Sequence, residues 1–264
     1  MKIRNILAVA RKELKLNLRF KYDYFFKELL TSVRFLLLFF VVYYGFFSAG
    51  APGIGSLKRE SYILFLLLGT LTYSLFASSF GLFYTKFLAE KYWNTIQAIL
   101  ISPLTKMELI LGVGLSELVK YIYISPIFFI IAFIWNPISI ANFILVIFIM
   151  LLLFIGVLGV SLIQGAFTLS NENFLFLFQY LFWGWGFISC FYYPIEALPK
   201  FLHFLVLVNP IYHGLFIIRS LWISGFVENF WMHFSIVLIF AIVVPAISIY
   251  LFNKIIKKYG IRGY

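Results

Sequence analysis

One uncharged stretch near the middle of the chain decides the kind of fold. Residues 138–169 read ISIANFILVIFIMLLLFIGVLGVSLIQGAFTL, without a single Asp, Glu, Lys or Arg. A helix needs about 20 such residues to cross the hydrocarbon core of a bilayer, so this stretch is long enough for a membrane span. Of the whole chain, 63% is hydrophobic and only 12% is charged, whereas soluble domains carry about 25% charged residues. The sequence therefore predicts an integral membrane protein.

Further hydrophobic runs lie on either side of this stretch. We expect six membrane-spanning helices, near residues 30–52, 61–85, 110–135, 138–169, 173–193 and 232–253. The region 194–226 is also apolar, but polar residues and prolines divide it into pieces too short to cross. The interrupting residues include Pro194, Pro199, Asn209, Pro210 and Arg219. We predict short outer re-entrant helices here, within one all-α integral membrane domain that covers 1–264.

The basic residues gather on one side of this arrangement. With six spans, both chain ends and the 86–106 connection share a side, and that side collects most of the Lys and Arg that give a net charge of +11. By the positive-inside rule both termini are predicted to be cytoplasmic, in a multi-pass protein of the cell membrane. Because these charges lie at chain ends and short loops rather than on a folded basic face, the net charge indicates a membrane surface and not nucleic acid.

The N-terminal segment 1–28 has an amphipathic pattern. Six apolar residues fall within about 120° of a helical wheel, and the basic residues occupy an adjacent arc. The apolar residues are Ile3, Ile6, Leu7, Ala10, Leu14 and Leu18, and the basic ones are Arg4, Arg11, Lys12, Lys15 and Arg19. This pattern is typical of an interfacial helix on anionic headgroups. A helix that packs in a soluble complex is the alternative.

The connection between the second and third predicted spans contains the most informative motif. Residues 90–102 are compatible with a short cytoplasmic helix, and Pro103 suits the first turn of the next helix with Ser102 as its cap. The residues predicted to contact a partner are the polar Glu90, Asn94, Thr95, Gln97 and Ser102, together with Pro103. An ordinary loop would have a similar composition, so the residues alone leave the docking role open.

The chain contains several short motifs in a fixed order, namely Glu90, Thr95, Ser102, Pro103, Leu104 and Thr105, followed by Pro194-Ile195-Glu196-Ala197-Leu198-Pro199, Asn209-Pro210 and Arg219. This order resembles the permease subunit of type-2 ATP-binding-cassette transporters. Asn94 departs from the pattern, in which glycine is usual. The resemblance covers essentially the whole chain, and it rests on the order and spacing of the motifs because none is highly specific alone.

The resemblance implies a division of labour between two kinds of chain. Residues 90–102 would form a coupling helix that sits in a groove of a separate ATPase subunit, which holds ATP and Mg²⁺. The permease itself would be non-catalytic, carry no cofactor and form its substrate pathway as a dimer. The sequence agrees, because it contains no Gly-x-x-x-x-Gly-Lys-Ser/Thr phosphate loop. Polysaccharides, glycolipids, lipids and drugs all fit as exported substrates.

Polar and aromatic residues within the predicted spans are candidates for the transport pathway. These are Tyr43, Tyr44, Gln164, Gln179, Trp183 and Trp185. Aromatic rings suit sugars or flat amphiphiles, although interfacial belts and interhelical hydrogen bonds would use the same residues. Glu117 and Lys120 are three residues apart and are predicted to pair on one helix face. Because this helix is longer than the bilayer needs, the pair could lie in the inner headgroup layer as a structural contact. If the pair is instead ion-linked, the alternative function is a self-sufficient secondary carrier or channel.

Three further site types are not expected from this sequence: a metal site, an internal disulfide and a catalytic site. His203, His213 and His233 lie near the outer side without nearby carboxylates, so their spacing does not predict a metal site. Cys190 is the single cysteine, which excludes an internal disulfide. No Ser-His-Asp or paired-carboxylate pattern stands out, and a membrane-embedded transferase would need clustered acids or histidines at one face.

Overall fold

A computed structural model of the protein describes residues 2–55, 57–95, 98, 104–171 and 173–259. Within these ranges the chain is helical and has no β-sheet. The helices are α1 (Ile3–Leu18), α2 (Lys21–Ser48), α3 (Tyr62–Phe80), α4 (Leu82–Tyr92), α5 (Lys106–Trp135), α6 (Ile140–Ser170), α7 (Phe174–Ile188), α8 (His203–Val208), α9 (Pro210–Ile223) and α10 (Phe230–Tyr259). Two 3₁₀ turns, Ile195–Ala197 and Lys200–Leu202, precede α8.

Several of these helices are long and apolar enough to cross a bilayer. Four candidate spans meet both conditions, Tyr62–Tyr92, Lys106–Trp135, Ile140–Ser170 and Phe230–Ile255, all within the described ranges. The first of them joins α3 and α4 into one helix of 31 residues. The protein is therefore a polytopic membrane protein by the length and composition of its helices.

The other two predicted spans correspond to shorter apolar stretches. They are Val33–Ser48 within α2 and α7, Phe174–Ile188. Helix α7 is about 22 Å long at about 1.5 Å per residue, less than the roughly 30 Å of hydrocarbon. The predicted span 173–193 ends early because Cys190, just beyond the helix, has a φ of 54° in the left-handed region. By length and composition, the described residues give four candidate spans, or five if the bent pair Lys200–Val208 and Pro210–Ile223 is one span. The six spans predicted from the sequence are not confirmed.

The N-terminal segment also differs from its prediction. Instead of one interfacial helix over 1–28, α1 ends at Leu18 and α2 begins at Lys21. The intervening turn closes with a hydrogen bond from the backbone N–H of Phe20 to the carbonyl of Asn17, at 3.1 Å. A separate short helix can lie along a surface while the next helix takes a different direction.

Side-chain caps fix where the central helices begin. Thr105 and Glu108 form a capping box at the start of α5, so this helix begins with Thr105 as its cap rather than with the predicted Ser102. The Ser139 hydroxyl accepts from the backbone N–H of Asn142 at the start of α6. Asn209 caps α9 in the same way, and Pro210 occupies its first position.

Helix α6 lies at the centre of the bundle. It packs against α3, α4, α9 and α10, and it supplies fully buried residues such as Val146, Ile149 and Leu153 to the main hydrophobic core. Trp222 of α9 is among the largest side chains that are fully buried. Charged and polar contacts are found at both ends of the long α3–α4 helix.

Candidate functional site

Four charged side chains alternate in sign where α1 meets the end of α4. Lys12 contacts both Glu90, at 2.6 Å, and Glu13, at 3.4 Å. Lys86 contacts Glu13 at 2.8 Å and donates to the side-chain oxygen of Asn17 at 3.2 Å. We call Lys12, Glu13, Lys86 and Glu90 the charged cluster. It connects a helix predicted to lie on the membrane surface to a helix that is continuous with a candidate span.

Glu13 is the buried centre of the charged cluster. Its side chain is only 4% exposed, and a buried carboxylate is stable only while its cationic partners stay in place. Partial burial acts to lower the pKa of Lys12, but the hydrogen bond to Glu90 and the charge of Glu13 outweigh it. The pKa of Lys12 therefore lies above its usual value, and Lys12 remains charged in this setting.

A second set of contacts fastens α1 to the start of α5. The Glu108 carboxylate accepts from the backbone N–H of Lys2 at 2.5 Å and from the side-chain amide of Asn5 at 3.0 Å. Farther along, Val9 lies directly over Gly112, where an added Cβ would come within 2.5 Å of the Val9 Cβ. Helices α1, α4 and α5 therefore form one unit at this end of the molecule.

The first residue predicted to couple to an ATPase, Glu90, belongs to the unit formed by α1, α4 and α5. Glu90 belongs to α4, which ends at Tyr92, so the predicted helix 90–102 does not start as a separate element. Asn94 follows with a φ of 56°, and the hydroxyl of Thr95 donates to both the carbonyl and the carboxylate of Glu90. Gln97, Ser102 and Pro103 lie outside the described residues.

The residues predicted for the membrane interface lie mostly on the surface of α1. Arg4, Arg11, Lys15 and Arg19 are exposed, and Lys12 is also held in the charged cluster. Of the predicted apolar face, Ile3 and Leu7 are exposed while Ala10 is buried against the protein. Helix α1 therefore divides its apolar residues between the protein and the surroundings, and Ile3, Leu7 and Leu18 remain available to lipid.

At the opposite end of the α3–α4 helix, Arg219 is enclosed by backbone carbonyls. Its guanidinium donates to the carbonyls of Cys190 at 3.1 Å, Phe191 at 2.5 Å and Phe65 at 3.1 Å. The guanidinium carbon also lies 3.4 Å from the centre of the Phe65 ring. We call this arrangement the arginine clamp. Because its acceptors come from α3 and from the chain after α7, it joins those two elements to α9.

A glycine of α3 makes the arginine clamp possible. An added Cβ at Gly69 would lie 1.8 Å from the Phe191 carbonyl oxygen and 2.7 Å from the Arg219 guanidinium. The chain after α7 can approach α3 this closely only because residue 69 has no side chain. The left-handed φ of Cys190 turns the chain into this position.

The region predicted to be re-entrant is sharply bent. The segment Lys200–Val208 and helix α9 meet at 87°. Asn209 stands at the bend, accepting from the indole N–H of Trp185 at 2.7 Å and donating to the Ser189 hydroxyl at 2.8 Å. Pro194 and Pro199 directly precede the two 3₁₀ turns. One amide side chain thus ties the bend to the end of α7.

The predicted pathway residues do not converge on one site. Gln164 and Trp185 line a cavity of about 750 Å³ between α6, α7 and the bend, together with mainly apolar side chains. Gln164 is buried, and within the described part of the chain its amide has no hydrogen-bond partner. We call this space the apolar cavity.

The remaining predicted pathway residues lie elsewhere. Tyr43 is buried and donates to the Tyr192 carbonyl at 2.5 Å, which is a structural contact of α2. Tyr44, Gln179 and Trp183 are exposed on the surface of the chain. Only two of the six predicted residues therefore share a cavity.

Glu117 and Lys120 form the ion pair that their spacing predicts. The Lys120 ammonium lies 3.0 Å from the Glu117 carboxylate, and both side chains are less than 10% exposed. Both are buried residues of α5. A charged pair inside a candidate span is the strongest observation in favour of ion-linked chemistry.

Two of the three histidines contact each other. His213 and His233 contact each other through their Nδ1 atoms at 2.6 Å, and His203 contacts the Leu198 carbonyl at 3.0 Å. No group of three metal-ligating side chains occurs among the residues that the structure describes. The His213–His233 contact joins α9 to α10 across the molecule.

The burial of Glu13 and the arginine clamp were not predicted from the sequence. Glu13 is the only acidic residue of α1, and on the helical wheel it lies between Val9 and Ile6, on the apolar side of the helix. A carboxylate in that position indicates a buried contact with a cation. For Arg219 no local pattern indicates a clamp, because its three acceptors are backbone groups from distant segments.

Comparison with known proteins adds no relative. The chain matches no protein-family model, and no curated protein matches its sequence.

Proposed function

We propose that this protein is the membrane-spanning permease subunit of an exporter, driven by separate ATPase subunits. The observation that carries the proposal is the charged cluster, which links α1 to a helix continuous with a candidate span. The exposed residues Trp93 and Asn94 follow directly after that helix. A partner that binds them would be connected to the membrane through the 31-residue segment Tyr62–Tyr92.

The proposed mechanism uses this connection to transmit motion from the ATPases to the membrane. Closure of the ATPases on nucleotide would push the segment after α4 and shift the α1–α4–α5 unit, which tilts α5 and opens a central path. The charged cluster suits this role, because long Lys and Glu side chains keep their contacts while the helices move by small amounts. Six spans with both termini on the cytoplasmic side of the cell membrane complete the proposed topology.

A second copy of the chain is proposed to complete the pathway. Helix α7 carries a stripe of exposed aromatic residues at helical spacing, Phe176, Tyr180, Trp183 and Phe187. The stripe adjoins the apolar cavity, to which Tyr180 and Phe187 contribute. A two-fold dimer would enclose this face and double the available space. The mainly apolar lining with one free amide favours an amphiphile as cargo, such as a glycolipid, a lipid, a lipid-linked polysaccharide or a drug.

Copurification tests the proposal. The chain is extracted from native membranes in a mild detergent, and the proposal expects an ATP-hydrolysing protein with a phosphate-binding loop to accompany it. The double variant Glu90→Arg with Thr95→Trp should fold and lose that companion. As a matched control, Glu228→Arg with Ser224→Trp changes exposed residues at the other end and should retain it. A companion that is absent from the wild type, or that survives the first variant, contradicts the proposal.

The second candidate function is a secondary carrier, and the buried Glu117–Lys120 pair favours it. Such a carrier would need no companion and would move its substrate down an ion gradient in liposomes containing this chain alone. Glu117→Gln would abolish that movement. In the permease that we propose, the purified chain transports nothing without ATP, and Glu117→Gln mainly affects stability.

A further inference from the structure

A second cavity adjoins the arginine clamp and combines both signs of charge. It has a volume of about 250 Å³, and its walls include Lys58, Glu196 and Arg219 together with the hydroxyl-bearing residues Ser61 and Ser220. The apolar cavity, in contrast, has no charged residue in its lining. We call the smaller space the charged pocket.

The three charged side chains of this pocket lack ionic partners of their own. Within residues 2–55, 57–95, 98, 104–171 and 173–259, the side chains of Lys58 and Glu196 make no hydrogen bond or ion pair, and both residues are exposed. Arg219 lines the pocket, is only 9% exposed, and faces backbone carbonyls rather than a carboxylate. A buried cation without an anionic partner favours the approach of an anion.

The position of the charged pocket relates it to the membrane boundary. Ser61, a wall residue, directly precedes α3, which opens the candidate span Tyr62–Tyr92. One wall of the pocket therefore lies where the candidate span begins, and a span that begins there enters the bilayer at the level of the lipid headgroups. Tyr193 and Tyr212 also line the pocket, and tyrosine is typical of this layer.

We propose that the charged pocket binds a zwitterion in which a phosphate is linked to an ammonium group, as in a phosphoethanolamine headgroup. The phosphate would lie between Lys58 and Arg219, where two cations and the nearby hydroxyls supply donors. The ammonium group would lie against Glu196, whose carboxylate repels a simple anion but pairs with a cation. This inference requires the membrane location alone and not the proposed transport function.

Lipid retention by the purified full-length chain tests this proposal. The protein is equilibrated with equal amounts of phosphatidylethanolamine and phosphatidylglycerol of the same acyl chains, and retained lipid is measured by native mass spectrometry. The two lipids share the phosphate and differ in the ammonium group. We expect the ethanolamine lipid to be preferred by about tenfold, the effect of one ionic hydrogen bond in a partly buried site.

Two charge-neutralising variants separate the two halves of the site. Glu196→Gln should bring the ratio of retained phosphatidylethanolamine to retained phosphatidylglycerol close to one, because the phosphate contacts remain and the ammonium contact is lost. Lys58→Gln should reduce retention of both lipids. The matched controls Glu228→Gln and Lys200→Gln remove exposed charges that do not line the pocket, and they should leave retention unchanged.

A soluble competitor identifies the source of the zwitterion. If glycerophosphoethanolamine displaces the lipid, the site also takes the free phosphodiester, and if it does not, the site takes the lipid; the proposed chemistry holds in both cases. Equal retention of the two lipids by the wild type, or a preference that survives Glu196→Gln, overturns the proposal.

Discussion

The two ends of the α3–α4 helix hold their charged residues in different ways. Near Tyr62, Arg219 is fixed by three carbonyl groups of the backbone, whose positions cannot change unless whole segments move. Near Tyr92, the charged cluster consists of long side chains that contact one another across α1 and α4. The arginine clamp is therefore an anchor, and the charged cluster is a joint that tolerates small shifts between helices.

This difference indicates where a conformational change would enter the protein. A force applied beyond Tyr92 meets contacts that can rearrange, and the far end of the same helix stays fixed. Four substitutions test the difference between the two ends, and Arg219→Leu is expected to have the largest effect.

Arg219→Leu removes the anchor. Three carbonyl groups lose their donor, and Leu cannot replace any of these bonds, so we expect a loss of about 3–5 kcal/mol in unfolding free energy. Thermal unfolding in detergent measures the loss. Arg219→Lys should recover only part of it, because an ammonium group lacks the planar fork of donors. Wild-type stability in the Leu variant would show that the arginine clamp is not an anchor.

Gly69→Ala disturbs the arginine clamp from its α3 side. The new Cβ would overlap the Phe191 carbonyl oxygen, which is backbone and cannot rotate away, so we expect a loss of about 2 kcal/mol or more. Gly184→Ala is the matched control, because nothing lies within 4 Å of an added Cβ there. It should be neutral or slightly stabilising. Equal stability of the two variants would contradict the close approach at Gly69.

Glu13→Gln weakens the joint without breaking the fold. Lys12 and Lys86 then face each other without the buried carboxylate between them, and we expect a loss of about 1–3 kcal/mol that is confined to the docking of α1. Hydrogen exchange of the α1 amides should rise while that of α6 stays unchanged. If exchange rises equally in both helices, the charged cluster is part of the global core and not a local joint.

Thr105→Ala tests the smallest contribution at this end. The change removes half of the capping box at the start of α5, which typically costs about 1 kcal/mol. Glu108 keeps its bonds to Lys2 and Asn5, so α1 should remain docked. Exchange should increase only in the first turn of α5, and a detached α1 would contradict this assignment.

The sequence predicts features that depend on local composition and fails where distant backbone groups meet. Helices that could cross a bilayer follow from uncharged runs such as 138–169, and α6 occupies nearly those residues. Asn209 and Pro210 together mark the bend, because an amide cap and a proline at the first position start a helix. The early end of α7 depends on the backbone of Cys190, which composition does not encode.

In the candidate site, too, contacts within one helix could be predicted from the sequence, and contacts between helices could not. Glu90 was predicted as a polar residue available to a partner, but its contact with Lys12 joins residues 78 positions apart in the chain. Helical spacing correctly predicts the Glu117–Lys120 pair, since both residues belong to one helix. Long-range polar contacts depend on how helices pack, and amphipathic patterns specify only which face is buried.

Site-specific cross-linking tests the central claim most directly, namely that a separate ATPase acts at the end of α4. Cys190 is fully buried, so Trp93→Cys supplies one accessible thiol at that end and Ser224→Cys supplies one at the other. After thiol cross-linking in native membranes, we expect Trp93→Cys to yield an adduct with a phosphate-loop ATPase and Ser224→Cys to yield none. No ATPase adduct at position 93, or equal adducts at both positions, would contradict the account.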